Sequence, residues 1–178
     1  MRCAGPARAG GRLSRPDRDP PGVAAPSRVY TPRMSETPEL TRLRDRVVDY
    51  LARLDLDLDP DGQGIFLFKH GSTVVLISLF ELDGHRWVRF VATVLTHVTP
   101  SMDLLGRLLR MNTEVVLGAF LLFDDGTVAF SHTLLADQLD FEEFDCALSY
   151  VAQVGDDYDE ELQSIAGGLR AEDVLLGV

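Results

Sequence analysis

The six residues Asp57-Leu58-Asp59-Pro60-Asp61-Gly62 come nearest to a built chemical site. They set aspartates at positions one, three and five and glycine at six, as the opening of a calcium loop does. The closing position falls on Phe68, where a bidentate glutamate is required, and proline interrupts the loop. The residues downstream alternate as a strand does, where the calcium motif needs a helix. We read the run as an acidic turn and assign no metal. A second acidic group, Asp156, Asp157, Asp159, Glu160 and Glu161, surrounds Tyr158. It offers carboxylates without a neighbouring histidine. It reads as a solvated helix face, with docking of a basic partner as the functional alternative.

His70, His85, His97 and His132 have no ligand spacing among themselves. His132 falls on an apolar strand face and reads as a hydrogen-bonded core or interface histidine. No G-x-S-x-G, P-loop or G-x-G-x-x-G is present. Gly62-Gln63-Gly64 lacks the third glycine and precedes a strand, so it cannot seat phosphate on a helix N-terminus. Lys69 is the only lysine. We therefore expect no enzyme, no catalytic residue and no cofactor. A metal-dependent enzyme built on clustered carboxylates is the distant alternative.

The 178 residues suffice for one domain with a sizeable core. The net charge of −11 averages two unlike parts. Residues 1–33 hold seven arginines against two aspartates, a balance of +5, which leaves −16 on residues 34–178. A body that acidic repels phosphate backbones, so no nucleic-acid partner is expected. Cys3 and Cys146 make neither a disulfide framework nor a metal motif. No apolar run reaches the roughly 20 residues of a membrane span, and no secretory signal opens the chain. The expectation is no membrane partner and a cytoplasmic location. Residues 1–35, rich in Arg, Pro and Gly, read as a disordered leader or an over-extended gene start before Met34. Residues 36–170 form the domain, and 171–178 a C-terminal tail.

The domain's pattern is α+β. Thr37 caps a first helix with Pro38 at its start, and Leu40, Leu43, Val47, Leu51 and Leu54 recur at helical spacing. Three strands follow, over 65–70, 72–81 and 86–98, as an antiparallel meander. Thr99 and Pro100 open a second helix that runs through MDLLGRLLRMN. A hairpin then turns on Asp125-Gly126. A two-residue loop pairs Phe123 with Val128 and Leu121 with Phe130 on one face, and Leu122 with Ala129 and Phe120 with Ser131 on the other. A final helix begins near Asp140. Its stripe Phe141, Phe144, Leu148, Val151, Gly155, Tyr158, Leu162, Ile165 packs on the sheet or pairs across a dimer. The expected order is α-β-β-β-α-β-β-α, an antiparallel sheet packed by helices.

LLRMN at 108–112, GAFLLFDDG at 118–126, HTLLAD at 132–137 and VGDDYDEEL at 154–162 with Gly167-Gly168 occur in that order. The combination resembles the YbjN family and the class I type III secretion (CesT-like) chaperones over about residues 36–170. The resemblance implies a compact α+β fold, usually a homodimer, that binds a protein or peptide client without catalysis. A regulatory dimer with an acidic docking face is the alternative. From face assignment we name Val91, Leu95, Phe120 and Leu122 as candidate partner-binding residues, with Tyr158 the candidate on the acidic face of the alternative. On this reading Leu122→Glu abolishes binding and leaves the fold intact.

Overall fold

The computed structural model describes residues 37–56 and 65–176. The acidic turn at 57–62 lies outside them. The first helix, α1 (Pro38–Arg53), starts where the Thr37 side chain accepts the Leu40 N–H at 3.2 Å. Leu40, Leu43, Val47 and Leu51 line its buried face. Burying each such side chain contributes about 1.5–3 kcal/mol. The exposed Glu39–Arg42 pair at 3.8 Å contributes under about 1 kcal/mol. Apolar burial therefore decides how α1 sits.

The strands β1 (Ile65–His70), β2 (Thr73–Leu82) and β3 (His85–Thr96) form the expected meander. Helix α2 (Met102–Glu114) follows, then β4 (Ala119–Leu122) and β5 (Val128–Leu135). Its cap is Ser101, which accepts the Leu104 N–H at 3.2 Å, so α2 begins just after the expected Thr99-Pro100. The sheet order is β1-β2-β3-β5-β4, antiparallel throughout. One face packs under α1, α2 and the C-terminal helices. Its core includes Phe66, Val75, Ile77, Leu79, Val88, Phe90, Val128 and Phe130.

The hairpin register differs from the expected one by a single residue. Phe120 faces Phe130, Leu121 faces Ala129 and Leu122 faces Val128. The loop has three residues, Asp124 to Gly126. Phe123 N–H donates to Thr127 O at 2.9 Å and Gly126 N–H to Phe123 O at 3.0 Å. Gly126 takes φ +79°, the left-handed conformation a three-residue hairpin loop requires. A β-carbon there would meet the Val98 carbonyl at 2.5 Å, and Val98 N–H bonds Gly126 O at 2.9 Å. This contact from β3's far end holds the longer loop. A one-residue slip turns every side chain over. Phe120 and Leu122 therefore face the helices, and Leu121 faces the other way.

The C-terminal helix is two helices. The first, α3 (Phe141–Asp157), is opened by a capping box between Asp140 and Glu143. The second, α4 (Asp159–Ala166), follows a break at Tyr158. Gly155 does not break α3. A β-carbon there would meet the Ala92 β-carbon at 2.7 Å, so glycine lets the helix lie close on β3. Phe144, Leu148, Val151, Gly155 and Leu162 of the heptad-like stripe are buried on the sheet. The stretch read as a tail holds structure too. Helix α5 (Ala171–Leu176) lies in it, directly after strand β6 (Leu169–Arg170), which closes the domain as read and pairs with the end of β3.

Candidate functional site

The two edges of the sheet are treated in opposite ways. On β4, the Phe120 N–H donates to Asn112 Oδ1 at 2.6 Å, and Asn112 Nδ2 donates to the Phe120 carbonyl at 3.3 Å. A side-chain amide from the end of α2 thus takes the place of a neighbouring strand. Gly118 brings the chain into this position at φ +74°, where a β-carbon would meet the Ser131 carbonyl at 2.6 Å. On the opposite edge, β1 runs for six residues. The two-residue turn Gly71-Ser72 makes His70–Thr73 the closing pair. Backbone bonds alternate along an antiparallel pair, so Ile65, Leu67 and Lys69 direct theirs away from β2. Leu67, Lys69 and His70 are exposed.

The β1–β2 turn is pinned from α3. Asp156 Oδ1 accepts the Ser72 N–H at 2.7 Å and the Ser72 hydroxyl at 2.8 Å, and Asp159 also reaches that hydroxyl. Asp159 is buried. Glu161 pairs with Arg107, whose guanidinium donates to it at 3.1 Å and to Glu114 at 2.8 Å. These bonds hold the Glu161 carboxyl below the usual carboxylate range and raise Arg107. Asp157 accepts from Gln153 at 2.6 Å. The acidic cluster around Tyr158 is therefore largely committed to internal contacts.

The sheet's second face carries a smaller apolar cluster of Leu76, Val91 and Ala129, with Ile65 and Phe123 packed against it. Among the described residues no helix contributes a side chain to this cluster. Leu67, Leu82, Leu121 and Leu135 are exposed around it. Arg89 lies over the Phe80 ring at 5.0 Å and donates to Thr133 at 3.1 Å. Burial lowers its pKa. A third apolar surface runs along α2. Met102 and Leu109 are 82 and 70 % exposed, Leu105 lies between them on the same face, and Val116 and Ile165 are also exposed. Beside it a cleft of about 460 Å³ is lined by Met102, Asp103, Gly106, Arg107, Arg110 and Ile165.

The five candidate residues do not share a surface. Val91 belongs to the second face. Leu95 joins the main core, where a register shift between Thr93 and Leu95 changes the alternation of β3. Phe120 is buried against Phe130 and Tyr158, with ring centroids 4.9 and 5.5 Å apart. Leu122 and Tyr158 are half-buried against the same core. A charge at Leu122 therefore tests stability. Asn112, inside the LLRMN run, is a site residue that composition and spacing do not mark. Its only sequence signal is an asparagine just ahead of an apolar strand.

His132 lies opposite Phe90 with its Nε2 buried and without a hydrogen-bond partner, and burial lowers its pKa. His85 instead pairs with Asp137 at 2.8 Å. Among the described residues no helix is long and apolar enough to cross a membrane, and no three His, Cys, Asp or Glu side chains are grouped to hold a metal.

Comparison with solved structures places this architecture among known folds. A chain in the crystal structure of the ExsC–ExsE complex aligns with a TM-score of 0.56 at 18% identity, covering 69% of this chain and 95% of that one. A chain of the HopA1–SchA chaperone–effector complex aligns at 0.52 and 12% identity, covering 68% and 97%. YbjN from E. coli aligns at 0.48 and 16%, covering 66% and 92%. Among curated proteins none is significantly similar. The model of the family described as T3SS (YopN, CesT) and YbjN peptide-binding chaperone 1 matches residues 40–174. With most of its length matched, the chain belongs to this family of peptide-binding chaperones.

Proposed function

We propose that this protein is a non-enzymatic chaperone-like module that holds an extended segment of a client protein by strand addition at β1. The observation that carries the reading is the contrast between the sheet edges. Asn112 takes up both backbone groups of Phe120 on β4, whereas Leu67 and Lys69 aim backbone groups outward. An added strand would take affinity from backbone hydrogen bonds and selectivity from side chains on the two faces. Leu67, exposed on the edge strand, supplies an apolar contact for such a segment. The chaperone–effector pairing in the HopA1–SchA structure and the peptide-binding description of the family support the same class of function.

The homodimer belongs to this proposal. Its contact would be the exposed stripe Met102, Leu105 and Leu109. Gly106 lies at the middle of that stripe and permits close approach of two helices. Asp103 sits one turn to one side and Arg110 one turn to the other. An antiparallel α2 pair about Gly106 sets each Asp103 against the partner's Arg110, a self-complementary arrangement.

The test uses a display library of extended peptides selected on the full-length protein and then on Leu67→Pro. Proline removes an outward N–H on an edge strand, where it is best tolerated. Selected peptides should protect the amides of Leu67 and Lys69 from hydrogen exchange and lose binding to the proline variant. Peptides that bind both proteins equally, with no protection in β1, would overturn the edge assignment.

A further inference from the structure

A basic cleft interrupts the acidic surface at the other end of the molecule. Its walls are Glu39, Arg42, Leu43 and Arg46 of α1, with Arg86 at the start of β3 and Asp137 beyond β5. The volume is about 310 Å³. The four α1 residues share one helix face by their spacing of 3, 1 and 3. Three arginines line this cleft in a domain whose residues 34–178 carry −16.

The two acids present do not use up this charge. Both oxygens of Asp137 are engaged. One accepts from Arg86 Nη2 at 2.7 Å and from the Arg86 N–H at 3.2 Å, and the other meets His85 Nδ1 at 2.8 Å. These bonds hold the Asp137 carboxyl below its ordinary pKa, the His85 bond first. Glu39 reaches Arg42 only at 3.8 Å, with the Arg42 side chain largely in solvent and that of Glu39 about half so. Arg46 donates through Nη2 to the Ala136 carbonyl at 2.6 Å, yet its Nε is buried without any acceptor. A buried donor left without an acceptor is costly, and in native proteins such a group calls for a specific explanation.

We propose that this cleft binds a single oxyanion, a carboxylate or phosphate group, held by Arg42 and Arg46 with Arg86 behind. The fork geometry of guanidinium suits such groups, and Arg42 and Arg46 lie on one face of α1 along the cleft wall. The proposal is independent of strand addition at β1. The oxyanion could be a free small ion or an acidic side chain of a bound protein, and the two share this chemistry.

The experiment is amide NMR titration of the full-length protein with sodium phosphate and, separately, sodium acetate. Ionic strength is held constant with chloride so that screening does not vary. The expected result is saturating shifts around Arg42 to Arg46 and at Arg86 and Asp137. Saturation by phosphate alone identifies a phosphoryl group as the ligand, and saturation by acetate identifies a carboxylate. Arg42→Gln, at a largely exposed position, should weaken binding about tenfold, the scale of one charge-assisted hydrogen bond. Arg46→Met should remove binding. Should that variant misfold by circular dichroism, Arg42→Gln decides alone. Shifts that stay linear with both anions, or saturate unchanged in Arg42→Gln, overturn the proposal.

Discussion

Asn112 holds Phe120 by both backbone groups, accepting its N–H at 2.6 Å and donating to its carbonyl at 3.3 Å. One side chain therefore takes up both backbone groups of Phe120 on a strand that, among the described residues, has no strand beyond it. Asn112→Ala strips that cover. We expect a loss of about 1–3 kcal/mol in denaturant unfolding, the scale of an unsatisfied buried polar group. The uncovered edge should also raise concentration-dependent association in light scattering. An unchanged midpoint and no association would mean that Asn112 contributes nothing to this edge.

The hairpin register separates two adjacent leucines. Leu121 lies on the second face at the surface, and Leu122 packs against the main core. Leu121→Glu should change stability by no more than about 0.5 kcal/mol, whereas Leu122→Glu should cost about 2 kcal/mol or more. Chemical denaturation of the two variants reads this directly. The reverse order would restore the two-residue loop.

Gly155 sits where a β-carbon would lie 2.7 Å from the Ala92 β-carbon and 3.1 Å from Thr73 Oγ1. Alanine gains about 1 kcal/mol of helix propensity. Overpacking against the sheet costs about 1–3 kcal/mol. We expect Gly155→Ala to be net destabilising, with a lower thermal midpoint. A stabilised variant would show that α3 can lift from β3 at little cost.

His132 predicts a pH effect with a definite sign. Burial lowers its folded-state pKa below the ordinary histidine value. As pH falls below about 6.5, the unfolded chain takes up this proton before the folded one does. Stability from neutral His132 is thus full above that pH and is lost as pH drops towards the depressed folded value. His132→Gln should flatten this part of the stability–pH curve. Identical slopes for both proteins between pH 7 and pH 5 would remove His132 as its source.

The α2 stripe makes a prediction about assembly. Leu109 is 70 % exposed, so Leu109→Glu should leave the monomer fold unchanged by circular dichroism. It should halve the mass seen by light scattering on size-exclusion chromatography if two copies meet along α2. A dimer that persists would place the contact elsewhere.

What the sequence determined by itself is local. The Thr37 cap, the Asp140–Glu143 capping box, the leucine spacing of α1 and the alternation in β3 are each set by residues within a few positions of one another. Element type and order as far as α3, and with them the α+β class, followed from these. The tertiary structure decided what depends on atoms distant along the chain. Contact between Val98 and Gly126 selects a three-residue loop and turns Phe120 and Leu122 inward. The approach of α3 to Ala92 keeps Gly155 inside a helix. Ser72 draws Asp156 and Asp159 out of an acidic stretch that reads as solvated. Asn112, Arg42 and Arg46 are ordinary helix residues until β4 and the β3–β5 end are packed beside them. Periodicity and capping are properties of a short segment. Register, edge cover and the convergence of three arginines are properties of packing, and exist only once the chain has closed on itself.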